Sequence, residues 1–335
     1  GASNSFHATN IAYVPTQQMW ERKDSTTNFG LRDSIPGSAE GDLTFEVALT
    51  GVSAMASTIA EWPFWDTAML ACGHMRTSIG STSIVYKPTT TFDAASTGTT
   101  THLQYPSQGY SLTMWTDNQG ASGSSAWAFS LIGAQGDVSI STKQGEPLIA
   151  KFKFHGAYFP AVMASQANAS ADPTLNPPTF LGASMTLLTV AATPASSPAS
   201  WAFDGWEFTK GNVLSKRGDV SASAGVRGAW ITGHKPMLKL APEMVNQSAP
   251  FAAIDFYDRW RKGTADASNS FVGNLTTSPA LGSKLLFKAD RAQIRELSLG
   301  DREGAITNEI SMAITTAKGA ADGADYSFGV FAAAQ

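Results

Sequence analysis

From Asp137 to Phe159 the chain reads DVSISTKQGEPLIAKFKFHGAYF, two alternating runs joined by a turn. Val138, Ile140 and Thr142 fall on one side of the first run, with Ser139, Ser141 and Lys143 on the other. Beyond Gln144-Gly145-Glu146-Pro147, the residues Leu148, Ala150, Phe152 and Phe154 share a face opposite Ile149, Lys151, Lys153 and His155. Successive side chains of a strand point to opposite sides, so a period of two with one apolar side predicts a half-buried antiparallel hairpin.

A second hairpin of the same kind is predicted from Gln293 to Thr315. Ile306, Ile310, Met312 and Ile314 share a face with Asn308, while Thr307, Glu309, Ser311, Ala313 and Thr315 take the other. The turn Gly300-Asp301-Arg302-Glu303-Gly304 occupies the place of Lys143 to Glu146. Each hairpin follows an apolar strand and a short helical stretch. Asp42 to Thr50 alternates, with Leu43, Phe45, Val47 and Leu49 against Thr44, Glu46, Ala48 and Thr50. From Glu61 to Met75 the period changes: Pro63 suits a first helical turn, Phe64, Ala68, Met69 and Cys72 form a stripe, and Gly73 stops it. Ser248 to Thr264 likewise opens on Pro-Phe, sets Phe256 and Trp260 one turn apart, and ends at Gly263. The chain therefore reads as one module present twice.

The predicted organisation is a first β domain over 1–160, a Pro-, Ala-, Ser- and Asn-rich linker over 161–179, and a second β domain over 180–335. Residues 1–40 are polar and weakly periodic and read as an arm lying on something else, such as a neighbouring subunit. Further strands are expected at Ser83 to Tyr86, Tyr110 to Thr116, Trp127 to Ile132, Phe180 to Val190, Trp201 to Thr209, Val226 to Thr232 and Met237 to Ala241.

Charged residues make up only 15% of the chain, against eighteen Phe and nine Trp, which favours short strands and turns over long surface helices. The net charge of −4 lies entirely in residues 1–160, with eight basic and twelve acidic residues; residues 161–335 hold fifteen of each. That excludes the basic footprint of a protein that grips nucleic acid. The single cysteine, Cys72, permits no internal disulfide and reads as a small buried residue. No apolar run has the length of a membrane-spanning helix, and the first residues lack the basic and apolar regions of a signal peptide.

The candidates for chemistry are few. His7, His74, His102, His155 and His234 stand at no metal-ligand spacing, and no nucleophile elbow, phosphate loop or dinucleotide fingerprint occurs. Asp255 and Asp258 put two carboxylates on one side of a helix, but Arg259, Arg261 and Lys262 are at hand to neutralise them. Gly300 to Gly304 is more simply a charged turn than a cation site. Lys151 and Lys153 mark a solvated face or pair with acids. The tryptophans, Trp62, Trp65, Trp115, Trp127, Trp201, Trp206, Trp230 and Trp260 among them, could stack on sugars but more simply serve packing. No catalytic residue, cofactor or metal is expected.

The run WDTAMLACGH, then SIVYKP, then SLIGAQGDVSISTKQGEPLIAKFKFHGAYF resembles the tail tube proteins of long-tailed, non-contractile bacteriophages. Leu131, Gly133, Gly136, Val138, Ser139, Gly145, Glu146, Pro147, Phe152, Phe154 and Gly156 carry the likeness, together with DFYDRWRKGT and AQIRELSLGDREGAITNEISMAI. The resemblance covers most of 61–160 and 248–316. It implies a mainly β fold of two tandem β-sandwich modules, each with a flanking helix. It also implies a non-enzymatic virion protein, assembled in the bacterial host cytoplasm. Rings would stack into a tube around a continuous inner β-barrel that passes double-stranded DNA without gripping it. Its partners would be copies of itself and neighbouring tail proteins, with no membrane insertion. Three chains of two modules would mimic a six-fold ring. Thr44 and Glu46 on one strand, and Thr307, Glu309 and Ser311 on another, are the candidate lumen lining. Rival readings are a tail terminator or capsid decoration protein, a glycan-binding or hydrolytic β-sandwich, and a porin-like barrel, for which strands of the required number and length are wanting.

Overall fold

In the computed structural model the described residues are 6, 8–22, 33–50, 62–79, 83–89, 92–93, 103–104, 110–115, 125–165, 177, 179–180, 184–189, 203–244, 253–263, 271–276, 284–316 and 325–331. The elements follow in chain order. β1 (Thr9–Trp20) and β2 (Ile35–Ala48) precede helix α1 (Asp66–Ala71). Then come β3 (His74–Ile79), β4 (Ser83–Pro88), the two-residue β5 (Phe92–Asp93) and β6 (Leu103–Gln104), and β7 (Tyr110–Trp115). The hairpin β8 (Ser125–Lys143) and β9 (Ile149–Ser165) closes the first half. The second half holds β10 (Ser184–Thr189), β11 (Phe203–Thr209), β12 (Asn212–Gly218), β13 (Val226–His234) and β14 (Met237–Pro242). Helix α2 (Ala253–Lys262), β15 (Phe271–Thr276), β16 (Lys284–Arg302), β17 (Ala305–Ile314) and β18 (Tyr326–Phe331) complete the chain.

Among the described residues fourteen strands join one sheet, whose main path runs β1-β2-β9-β8-β11-β14-β17-β16-β18-β4-β3. β7 pairs with β8, and β15 with both β16 and β10; β12–β13 and β5–β6 stand apart. Among the described residues no sheet closes into a barrel. The order strand, strand, helix, hairpin occurs twice along the chain, and the sheet lays each set out alike: β1·β2·β9·β8, then β11·β14·β17·β16.

The alternation read from the sequence decides which side of this sheet is dry. A row of directly opposed residues, Val47, Ala150, Ile140, Phe208, Leu238, Met312 and Ile294, crosses seven strands from β2 to β16. All seven are buried. Burying each of the larger side chains contributes about 1.5–3 kcal/mol. On this side lie α1, through Trp65, Ala68, Met69 and Cys72, and α2, through Phe256, in one continuous core. α1 begins after Pro63, whose carbonyl accepts from Asp66 N at 2.9 Å, and ends where Gly73 turns to φ +73°. Proline at the start and a left-handed glycine at the end hold the helix to six residues inside the longer stretch Glu61 to Met75.

The two halves share this core and this sheet. β11 pairs antiparallel with the end of β8, Phe208 opposite Ile140 and Thr209 opposite Ser139. The last strand, β18, returns to pair with both β16 and β4.

Several expectations are corrected. Residues 9–20, expected to be an arm, form β1, hydrogen-bonded to β2 with Tyr13 opposite Leu43. Its residues are mostly exposed on both faces, so no apolar period marks it. The predicted strand Trp127 to Ile132 and the first strand of the opening hairpin are a single strand, β8. Gly133 takes φ +62° where the register shifts between Ile132 and Gln135, so the glycines mark a bulge inside a strand and not its end. Likewise β9 runs through Pro160 to Ser165, into the segment read as linker. The register of β8 and β9 shifts between the pairs Ser130–Phe159 and Ala128–Val162, so the proline falls in a bulge. The loops over 94–101 and 117–124, most of the linker and the stretch 193–200 lie outside the described residues.

Candidate functional site: the polar face of the sheet

Reverse the dry row and the wet face appears. Across the first module Glu46 faces Lys151, which faces Ser139; one step along, Thr44 faces Lys153, which faces Asp137. Across the second, Glu207 faces Lys239, which faces Ser311, which faces Glu296. Thr307 and Glu309 alternate with core-facing Ile310 on β17 and so join Ser311 on this face. All five sequence-predicted lining residues thus lie on one side of one sheet, but in two groups, with β9, β8, β11 and β14 between β2 and β17.

Their environments differ. Glu46 reaches Lys151 Nζ at 3.5 Å and accepts from Asn10 Nδ2 at 2.5 Å. Glu309 is exposed and accepts from Ser298 Oγ at 3.3 Å. Thr307 and Ser311 are only 4% and 7% exposed, and the Ser311 hydroxyl has no hydrogen-bond partner among the described residues. Thr307 packs with Glu309 over Gly300, where an added Cβ would stand 2.8 Å from Thr307 Oγ1 and 2.7 Å from Glu309 Oε1. Thr307 and Ser311 are therefore covered parts of this face, and Thr44, Glu46 and Glu309 its accessible acids and hydroxyl.

Three cations of the face are matched by acids of the same chain, whereas Lys153, exposed on the same face, has no ion-pair partner among the described residues. Lys151 pairs with Glu46, Lys239 with Glu207 at 3.4 Å, and Arg302 with Glu243. Exposed pairs of this kind contribute little stability, about 0–1 kcal/mol each. Their consequence is electrostatic: a phosphate near Lys151, Lys239 or Arg302 meets a cation already neutralised, and Lys153 is the exception. Lys151 and Lys153 lie on the same face as Thr44 and Glu46. Glu207, Lys239 and Glu243 were not singled out in the sequence. The alternation within Phe203 to Thr209 and Met237 to Pro242 was the available signal, but it does not tell which strands are neighbours.

A second polar group lies in the core where the halves meet. Lys210, 1% exposed, donates from Nζ to the carbonyls of Cys72 and Gly73 at the end of α1. Asn212 donates from Nδ2 to the carbonyls of Cys72 and Gly136, both at 2.8 Å, and its backbone N–H donates to Asp137 at 3.0 Å. A cation at a helix C-terminus satisfies carbonyls that have no intrahelical partner. His74 bonds through its ring nitrogens to Met69 O and to the Tyr326 hydroxyl, the latter at 2.7 Å. Burial, aided by the Lys210 charge, pushes the His74 imidazole well below its ordinary range and keeps it neutral. Burial raises the Cys72 thiol and the Asp137 carboxyl. Asp66 is held by Arg76 and by the Tyr86 hydroxyl at 2.7 Å, and burial still outweighs both and raises its carboxyl. These groups tie α1, β8, β11 and β18 together.

The remaining candidates resolve as structural. His155 sits between Asp42, at 2.7 Å, and Glu40, at 3.4 Å; His234 pairs with Asp325 at 2.6 Å. His7, His102, Trp201 and the Asp255 side chain lie outside the described residues. Asp258 is paired with Lys262 and Arg261 on its own helix, and those hydrogen bonds hold its carboxyl below the usual range. Gly304 N donates to Asp301 Oδ1 at 2.8 Å, the closure of an ordinary Asx-type turn. Trp65 and Trp206 are buried, whereas Trp127 and Trp260 are about half exposed and stand on separate elements. Among the described residues no cluster of three His, Cys, Asp or Glu could hold a metal, and no helix is long and apolar enough to cross a membrane. No family model matches the chain, and no curated protein matches it.

Proposed function

We propose that this chain is a structural protein that polymerises into the hollow tail tube of a long-tailed, non-contractile bacteriophage. The observation that carries the reading is the twofold layout of the sheet, β1·β2·β9·β8 joined edge to edge with β11·β14·β17·β16, each set enclosing one helix in sequence. It supports two tandem tube modules in one chain, so that three chains supply six modules per ring. In a ring the wet face forms the wall of the channel and the helices lie outside. The pairing of Lys151, Lys239 and Arg302 with acids on that face agrees with a channel that passes double-stranded DNA without holding it, because a surface that neutralises phosphates slows their passage by counterion exchange. The protein acts through assembly and not through catalysis.

The test is microscopy of purified protein at rising concentration. Hollow tubes with three chains per layer are expected. Six chains per layer would overturn the duplicated-module reading, and a protein that stays monomeric at all concentrations would overturn the tube itself.

A further inference from the structure

The joint between the two halves is a template for the joint between copies. β8 has β9 along one edge. Along its other edge β7 pairs with the first part of the strand and β11 with the last, Ser139 to Lys143. β16 repeats this layout: β17 and β18 take one edge, β15 takes the first part of the other, Trp260 Nε1 of α2 donates to Arg295 O, and from Glu296 to Arg302 that other edge has no strand partner among the described residues. At the far end of the sheet, the outer edge of β1 likewise has no strand partner among the described residues. β1 stands in the first module where β11 stands in the second.

The register can be transposed. Leu49 N bonds to Leu148 O, and Met244 N to Ile306 O, each at 2.8 Å, which aligns the two modules. In step with them Phe45 faces Phe152, which faces Val138; Leu240 faces Ile310, which faces Leu297. Two residues on from Val138 and Leu297, Ile140 corresponds to Leu299 and, beside them, Ser139 to Ser298. On the other side, Phe208 faces Leu238 as Tyr13 faces its counterpart Leu43, so Phe208 corresponds to Tyr13 and Thr209 to Val14. The paired and unpaired versions differ in exposure as an empty joint requires: Ile140 and Phe208 are 0% and 1% exposed, Leu299 is 60% exposed.

We infer that the open edge of β16 in one copy pairs antiparallel with β1 of the next copy, with Leu299 opposite Tyr13 and Ser298 opposite Val14. This rests on the self-assembly part of the proposed function and specifies the seam by which it occurs. The seam is heterologous, joining two different surfaces of identical chains, so it closes into a ring or runs on. It places eight strands of each chain, β1 to β16 along the main path, in one uninterrupted wall. It also covers the exposed Leu299 and supplies partners for two edges that would otherwise promote indiscriminate strand addition.

The experiment is a chain carrying Val14→Cys and Ser298→Cys, both exposed positions whose replacement leaves the core untouched. Within one chain the two sites lie seven strands apart along the sheet, about 33 Å, so only a bond between copies can form. Cys72 is buried and serves as the silent background. The assembled protein is oxidised and run on a non-reducing denaturing gel, beside each single variant and an off-register Thr16→Cys/Ser298→Cys chain. The expected result is a ladder ending at a covalent trimer, about tenfold stronger than in the off-register chain, because a two-residue shift exceeds disulfide reach. Tubes without a ladder, or with an equal ladder off register, overturn the seam and leave the tube reading standing. A chain that neither assembles nor cross-links overturns both.

Discussion

Phe208→Ala tests the joint within the chain. Phe208 is buried between Ile140 on β8 and Leu238 on β14, and its ring lies 4.8 Å from those of both Phe287 and Tyr326. It therefore touches β8 of the first half and β14, β16 and β18 of the second. Truncating a buried Phe to Ala costs about 3–5 kcal/mol from lost transfer energy and the cavity left behind. An unfolding entropy of about 2.1 cal/mol/K per residue, over 335 residues, amounts to about 0.7 kcal/mol/K. The midpoint should then fall by about 4–7 °C in a calorimetric melt of the dispersed chain. A single transition should persist, since the core is continuous across the halves. Leu299→Ala, at an exposed site, should move the same melt by less than about 0.5 kcal/mol equivalent. A Phe208→Ala midpoint within about 1 °C of the parent, or two transitions of which one is unmoved, would refute the shared core.

Three further outcomes follow from particular contacts. His74 is neutral when folded and titrates near 6.5 when unfolded, so the unfolded chain alone gains a proton as pH falls below that value. Its contribution to stability should be lost at about 1.4 kcal/mol per pH unit from 6.5 downward; His74→Gln should flatten the denaturant-melt slope between pH 6.5 and 5, and an unchanged slope would remove His74 as the cause. Gly228→Ala combines φ +143° with a Cβ 2.4 Å from Gly133 O, so it should destabilise by more than about 2 kcal/mol; a melt indistinguishable from the parent would mean that β13 and β8 do not pack this closely. Glu46→Lys and Glu309→Lys each place an unmatched cation on the wet face. They should slow DNA ejection from assembled particles without blocking assembly, and unchanged ejection kinetics in both variants would remove these residues from the channel wall.

The sequence exposed the features that depend on near neighbours. The alternation of Leu43, Phe45 and Val47 on β2, and of Ala150, Phe152 and Phe154 on β9, marked the dry face, because each strand residue reports its own side through its own polarity. Pro63 and Gly73 bracketed α1 by backbone constraint alone. Features that depend on distant partners stayed hidden. β1 has no apolar period because, Tyr13 apart, its residues are exposed and do not pack on the core. Gly133 and Pro160 read as breaks, yet each sits in a bulge that a partner strand carries through. Lys210 looks in sequence like any surface lysine. It is buried because the carbonyls at the end of α1 need donors there, and nothing near it in the sequence announces that helix.

What the sequence settles by itself is the buried side of the strands that alternate, such as β2, β9 and β17, the two turns, and the recurrence of strand, helix and hairpin. What only the tertiary structure decides is the order of the strands: β11 against β8, β18 between β16 and β4, and, among the described residues, the unpaired outer edges of β1 and of the end of β16. The physical reason lies in the backbone. Every strand edge offers the same N–H and C=O groups, so side-chain pattern selects a face but not a neighbour. The neighbour is chosen by the whole core, where Phe208 fits against Ile140 and Leu238 together.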